Sequence, residues 1–329
     1  NKALIAKHGN YLSLLAEKNK VNLEFEASVA GGIPIIRGIK EGLVSNKISK
    51  LIGILNGTSN YILTEMEHSG KKFSDVLKEA QNSGFAEKNP KNDLNGNDVS
   101  SKIKILSSLC FKSLISNSKI LTNGIENIEV KDINIVKKLG YRIKLLGITE
   151  IINNNIFERV HPSLVRINSY IANINGVFNA TIISGKPVGQ SVMQGEGAGP
   201  GPTTSSLISD LYSIIRGNIK NPFIVPHSKR KKIKIYNYNN YIYACYFRFE
   251  VKDKSGVLAS ITNILAKNKI SIETLIQDPN KKNKTASIII ITHKTTEKRV
   301  INCIASINKN KNIIKKPTFI RVGNFNDDW

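Results

Sequence analysis

The chain has 329 residues, 40% of them hydrophobic and 22% charged, and a formal net charge of +23. These are the proportions of a soluble globular protein long enough for two domains, each with its own core, and the absence of any run of eighteen apolar residues argues against a transmembrane helix. The basic surplus invites a nucleic-acid reading, but Lys, Asn and Ile are raised together and the lysines are dispersed, so neither a nucleic-acid nor a membrane partner is expected.

The chain opens with an amphipathic pattern over 2–19, without the apolar core or cleavage site of a signal peptide and without an initiator Met; it is expected to begin inside a longer protein. Residues 21–29 alternate as a strand, Ala30-Gly31-Gly32-Ile33-Pro34 breaks it, and a helix ends at Gly42. A strand over 48–56 runs into Asn56-Gly57-Thr58-Ser59-Asn60, where a helix starts with Thr58 or Ser59 as cap. Helices follow over 73–83 and 98–111, strands over 119–125, 142–150 and 155–166, and a helix over 131–139. A hairpin through Gly185 follows Asn175–Ala180, and the Gly-rich run 195–201 opens a helix over 203–216. This mixture predicts an α/β or α+β fold for the first 220 residues.

The dense basic run His227-Ser228-Lys229-Arg230-Lys231-Lys232 lies between Pro226 and a tyrosine-rich strand and reads as a solvated linker. From Tyr241 the order is strand 241–251, helix 256–268, strands 270–277 and 284–292, helix 295–307 and strand 314–322, a ferredoxin-like βαββαβ module. The three cysteines, Cys110, Cys245 and Cys303, are far apart and form no CxxC, so buried reduced thiols in a cytoplasmic protein are expected.

One stretch concentrates chemistry. Glu87, Asp93 and Asp98 stand close before Lys102, and Asp98 and Lys102 are spaced to share a helix face. A rigid helix carrying an amine, faced by a loop carrying acids, suits holding a small zwitterion and moving a proton. The same spacing also describes a helix N-terminus favoured by the macrodipole and an ordinary ion pair. Two further loops carry open alternatives. Gly195-Glu196-Gly197-Ala198-Gly199-Pro200-Gly201 offers backbone N–H groups for a phosphate or a nicotinamide, or is a structural turn, and it is not GxGxxG. Glu26 before Val29-Ala30-Gly31-Gly32-Ile33 offers a carboxylate with carbonyls for a cation, or a tight turn. His161 reads as a structural strand-end histidine, and no Cys/His cluster fits zinc.

Taken together, Asn1–Leu4 with Lys7-His8-Gly9, FEASVAGGIPIIR (25–37), GILNGTSNYIL (53–63), GFAE (84–87), DLNGND with Lys102, GYRIKLLGI (140–148), VHPSLV (160–165), NGVFNA (175–180) and GEGAG (195–199) resemble homoserine dehydrogenase along almost the whole chain. Residues 253–258 (DKSGVL) resemble an ACT domain, and this order resembles the monofunctional type. The resemblance implies NAD(P)-dependent interconversion of L-aspartate 4-semialdehyde and L-homoserine, on the route to threonine, methionine and isoleucine. It implies Lys102 and Lys2 at the reacting centre, Glu87, Asp93, Asp98 and Thr58 around substrate, and Lys2, Gly197 and Gly199 beside an NADP or NAD cofactor. Glu26 with the carbonyls of Val29, Gly31 and Ile33 then matches a monovalent cation site, for Na+ or K+.

The expected division is a C-terminal remnant of a Rossmann-type nucleotide-binding domain at 1–25 and a mixed-sheet catalytic and dimerisation domain at 26–220 whose helix 203–216 packs back on the nucleotide-binding part. A linker at 221–240 and an ACT regulatory domain at 241–325 complete it. A homo-oligomer (dimer or tetramer) and a threonine effector at the ACT domain are further expectations. Two departures stand out: the Gly-rich half that would bind adenine and pyrophosphate does not precede Asn1, and Glu196 replaces a Pro frequent in that loop. The alternative is a non-catalytic, ACT-containing amino-acid sensor.

Overall fold

A computed structural model describes residues 1–217, 221–280 and 283–323. The ends of two expected domains, 218–220 and 324–325, therefore lie outside the described residues. In chain order come α1 (Lys2–Asn19), α2 (Ile35–Arg37), β1 (Lys47–Ile54), α3 (Gly57–Ser69), α4 (Phe73–Asn82), α5 (Lys91–Leu94), α6 (Asn97–Cys110), β2 (Leu121–Thr122) and α7 (Val130–Lys138). Then follow β3 (Tyr141–Ile152), β4 (Asn155–Arg166), β5 (Phe178–Lys186), β6 (Gly189–Glu196) and α8 (Pro200–Arg216). The last stretch holds β7 (Ile242–Lys252), α9 (Val257–Lys267), β8 (Ile272–Asn280), β9 (Thr285–Thr292), β10 (Thr295–Thr296), α10 (Glu297–Ile307) and β11 (Thr318–Val322).

Two compact units form: one from 1–126, 144–161 and 170–236, the other from 127–143, 162–169 and 237–329. The first is built on the strand order β6-β5-β1-β3-β4, with β2 parallel to β4. Its core includes Leu51, Ile54, Ile62, Met66, Val99, Ile103, Leu106 and Leu146. Helix α6 presses so closely on β3 that a Cβ at Gly147 would meet Ile103 at 2.6 Å and Val99 at 2.7 Å. That glycine seats the helix carrying Lys102.

In the second unit β7, α9, β8, β9, α10 and β11 give the expected βαββαβ order, with strands arranged β11-β7-β9-β8 over a core of Phe247, Phe249, Ile261, Ile288, Ile290 and Val300. The 162–166 end of β4 pairs in parallel with β11, and α7 is tied in by Asp132, which accepts from Arg248 Nε at 2.6 Å and from the Tyr246 hydroxyl at 2.9 Å. These long-range ties place 127–143 and 162–169 in the same unit as the C-terminal module. Among the described residues no helix is long and apolar enough to cross a membrane.

Three local expectations need correction. Residues 21–29 form no strand; Glu26–Ser28 is a 3-10 turn, because the Glu26 N–H donates to Asp210 and the Ser28 and Val29 amides bond locally to Phe25 and Glu26. Of 119–125 only Leu121–Thr122 pairs as strand. The run 227–232 is not simply solvated: Arg230 is buried, with polar acceptors supplied by α1 and by α6.

Candidate active site

The end of β1 and the start of α3 frame the site. Asn56 is the N-cap of α3, its side-chain oxygen accepting from the Ser59 amide at 2.8 Å, where Thr58 or Ser59 was expected to cap. The Asn56 side-chain nitrogen donates to Asp93 Oδ1 at 2.8 Å and to Asp98 Oδ2 at 2.9 Å. One cap residue thus fixes two acids from two other elements. Ser59 adds a hydroxyl bond of 2.7 Å to the Asp93 carbonyl.

Asp98, in the first turn of α6, is buried and lies between two amines: Lys102 Nζ at 2.8 Å from Oδ2 and Lys2 Nζ at 2.5 Å from Oδ1. Lys102 also donates to the Leu55 carbonyl at 2.6 Å. Burial alone would push Asp98 up, but the two ammoniums and their hydrogen bonds override it and hold the carboxyl at about 2. Lys102 moves the other way. Burial draws its pKa below the ordinary lysine value, Asp98 opposes, and Lys2 adds to the lowering. Asp93, half-buried, is raised by burial, with Asn56 opposing and Asp98 adding.

These groups line one cavity of about 490 Å3 with Thr58, Gly84, Phe85, Glu87, Val177 and the loop Glu196–Gly199. Thr58 donates its hydroxyl to the Phe85 carbonyl at 2.7 Å, fastening the 84–87 turn to α3. Glu87 is exposed at the rim, its side chain without a hydrogen-bond or ion-pair partner among the described residues. Gly197 is held close: a Cβ there would fall 2.0 Å from Asn179 Nδ2, and one at Gly31 would fall 2.5 Å from the Gly197 backbone. The loop therefore presents bare backbone to the cavity, a surface against which a flat ring can lie.

Outside that cavity, Glu26 accepts from the Ile36 and Arg37 amides, each at 2.8 Å. Burial pushes its carboxyl up to about 7 against those two bonds. The Gly31 carbonyl accepts from the Ser206 hydroxyl at 2.6 Å and the Ile33 carbonyl from the Ile35 amide at 2.7 Å. His161 is buried in β4. The sequence alone did not single out Asn56, Leu55 or Asp210; for Asn56 the available signal was its place just before the Gly57-Thr58 helix start, where Asn is a good cap.

Two family models match: homoserine dehydrogenase over residues 34–212 and the ACT domain over 246–308. The chain is similar to the homoserine dehydrogenase of Neisseria gonorrhoeae, with 41% identity across 99% of this chain and 77% of that protein. Among solved structures it is similar to a homoserine dehydrogenase from Thiobacillus denitrificans, with TM-score 0.89, 41% identity, and coverage of 98% of this chain and 75% of that one. A hyperthermophilic archaeal homoserine dehydrogenase mutant in complex with NADPH matches with TM-score 0.58 and 25% identity, over 67% of this chain and 64% of that one.

Proposed function

The chain belongs to the homoserine dehydrogenase family, and on that premise we propose that Lys102 and Lys2 are the amines at its reacting centre, with Glu87, Asp93, Asp98 and Thr58 binding substrate. The enzyme is an oxidoreductase that interconverts L-aspartate 4-semialdehyde and L-homoserine in the biosynthesis of threonine, methionine and isoleucine. When bound, NAD(P) supplies the hydride chemistry at the substrate carbon. Gly197 and Gly199, with Lys2, are the residues that would hold its nicotinamide end, on the bare backbone described above.

The observation that carries the assignment is the chain of contacts Lys2–Asp98–Lys102. An ammonium has three N–H donors; Asp98 and the Leu55 carbonyl take two of those on Lys102 and leave one for the substrate oxygen. Because burial and Lys2 lower its pKa, Lys102 changes protonation state nearer neutrality than an exposed lysine does. As a neutral amine it removes the hydroxyl proton of homoserine, and as an ammonium it returns a proton to the aldehyde oxygen. Glu87 and the remaining oxygen of Asp93 supply the negative charge that an α-ammonium needs. The test is NADPH oxidation with aspartate semialdehyde by the Lys102→Met enzyme. Turnover near that of the parent would remove Lys102 from the chemistry. The alternative of a non-catalytic amino-acid sensor is set aside, because the whole acid–amine cluster stands in a chain 41% identical to a homoserine dehydrogenase.

Five finer readings accompany this one. Glu26 and the carbonyls of Val29, Gly31 and Ile33 would supply an all-oxygen donor set of the kind that suits Na+ or K+, and a cation there would offset the burial that raises Glu26. In the second unit, residues 253–258 with Gln277 and Ile288 line a cavity of about 320 Å3, the place for a threonine effector. Exposed Phe178, Val188 and Val192 on the β5–β6 hairpin favour a dimer or tetramer formed through the sheet of the first unit. Leu207, Leu211 and Ile215, exposed on α8, form the face for a nucleotide-binding part, and the three free, buried cysteines fit a reducing cytoplasm.

A further inference from the structure

We propose that Arg230 is a positioning residue for the reaction: its guanidinium clamps α1 to α6 and thereby holds Lys2 against Asp98, beside Lys102. The inference rests on the roles given to Lys2 and Lys102 above.

Arg230 is only 5% exposed. Its Nη1 donates to Ser13 Oγ at 2.9 Å and its Nη2 to Asn10 Oδ1 at 2.8 Å, both on α1. The same Nη2 reaches Ser108 Oγ on α6 at 3.1 Å, and Nε donates to the Ser113 carbonyl just beyond that helix at 3.2 Å. The guanidinium lies over the Phe223 ring, 4.2 Å from its centroid. Among the described residues no carboxylate forms an ion pair with it; burial draws its pKa down to about 10, with Glu17 opposing from a longer distance. A charge buried among neutral acceptors is a poor way to gain stability, and a well-packed apolar residue does that better. What the planar fork offers is simultaneous reach to two helices and a loop.

Two further contacts hold the same helix. Glu17 accepts from the His227 amide at 2.9 Å, and Asn10 bonds both the N–H and the C=O of Ile115. Asn10, Ser13 and Glu17 occupy one face of α1, all engaged. Lys2 has no comparable anchor of its own. Its side chain is 45% exposed, and its ion pair is with Asp98, whose side chain is 3% exposed. The separation of Lys2 from Lys102 is therefore set by how α1 lies on α6, about 12 Å along the helix from the Arg230 contacts at 1.5 Å per residue.

Three charged groups face Lys102: Asp98 from its own helix, Lys2 from α1 and Asp93 from α5. Of these only Lys2 is free to withdraw when α1 loosens, and its withdrawal removes a positive neighbour that favours the neutral amine. The rising limb of kcat against pH for homoserine oxidation then moves to higher pH.

The test compares Arg230→Met, Lys2→Met and the double variant in the enzyme. Arg230→Met is expected to lower kcat ~10-fold, as for lost positioning, and to move that limb upward in the direction given by Lys2→Met. In the double variant the loss should not exceed that of Lys2→Met, since both changes remove one contact. Arg230→Lys, which keeps the charge and one or two donors, should recover part of kcat. Multiplying losses in the double variant, or an unmoved limb in Arg230→Met alone, overturns the clamp while leaving Lys2 in place. An unmoved limb in Lys2→Met removes the role of Lys2, and the clamp with it. Should Arg230→Met fail to fold, Ser13→Ala and Ser108→Ala each delete one acceptor; a limb shifted upward in both supports the clamp, and an unmoved limb in both overturns it.

Discussion

Lys2 Nζ lies 2.5 Å from Asp98 Oδ1, which ties the first turn of α1 to the first turn of α6. The opposite oxygen of the same carboxylate faces Lys102, so one acid lies between two amines.

Lys102→Met should lower kcat at least ~10²-fold, the usual loss when a proton-transfer group is removed. Cofactor affinity should change little. Steady-state NADPH oxidation and a separate fluorescence titration of NADPH read the two quantities.

Glu87→Gln should behave differently. The residue lies exposed at the cavity rim, so its loss weakens capture of the substrate ammonium while the reacting centre stays whole. A rise in KM for homoserine of about tenfold, with kcat within about twofold, is expected. An unchanged KM would remove Glu87 from the substrate site.

Glu26 predicts a stability profile. Its folded pKa of about 7 lies above the unfolded carboxylate value near ~4.3, so its contribution is fully present below about pH 4 and is lost as pH rises through 7. The loss is on the order of 3 kcal/mol at ~1.36 kcal/mol per pKa unit. Urea unfolding between pH 5 and 8 should show this decline, and Glu26→Gln should flatten it. If Na+ or K+ occupies the Glu26 turn, the decline should also be shallower in NaCl or KCl than in tetramethylammonium chloride of equal ionic strength.

Gly147→Ala tests the seat of α6. The added methyl meets Ile103 and Val99 well inside van der Waals distance, so the helix must shift. A cost of about 1–3 kcal/mol is expected from overpacking, read as a lowered Tm. Activity should fall with it, because Asp98 and Lys102 ride on the shifted helix.

Much of this was readable from the chain. The 3.6-residue period of α6 and the strand–helix rhythm of the C-terminal module are local signals, and their bounds fall within a few residues of those expected. The clustering of Asp93, Asp98 and Lys102 was visible because two of the three share a helix turn. Asn56 was less visible, since its side chain acts both as a cap and as a bridge between acids distant in sequence. The alternation of 21–29 misled because adjacent Phe25 and Glu26 are both buried, and the Glu26 amide goes to the Asp210 side chain while those of Ser28 and Val29 bond locally, so no ladder forms. Arg230 sits in a run that composition alone marks as solvated, and only the return of residues 227–230 to α1 buries it. The discontinuous second unit depends on β11 finding β4, a pairing across more than a hundred residues that no local pattern announces.

The three free thiols have a practical consequence. Cys110 lies in the first unit and Cys245 and Cys303 in the second, all buried, and burial pushes each thiol above its ordinary pKa. None reacts readily while its surroundings stay packed. Native-state alkylation followed by mass spectrometry would therefore time the opening of each half separately, with reporters that nature has already installed.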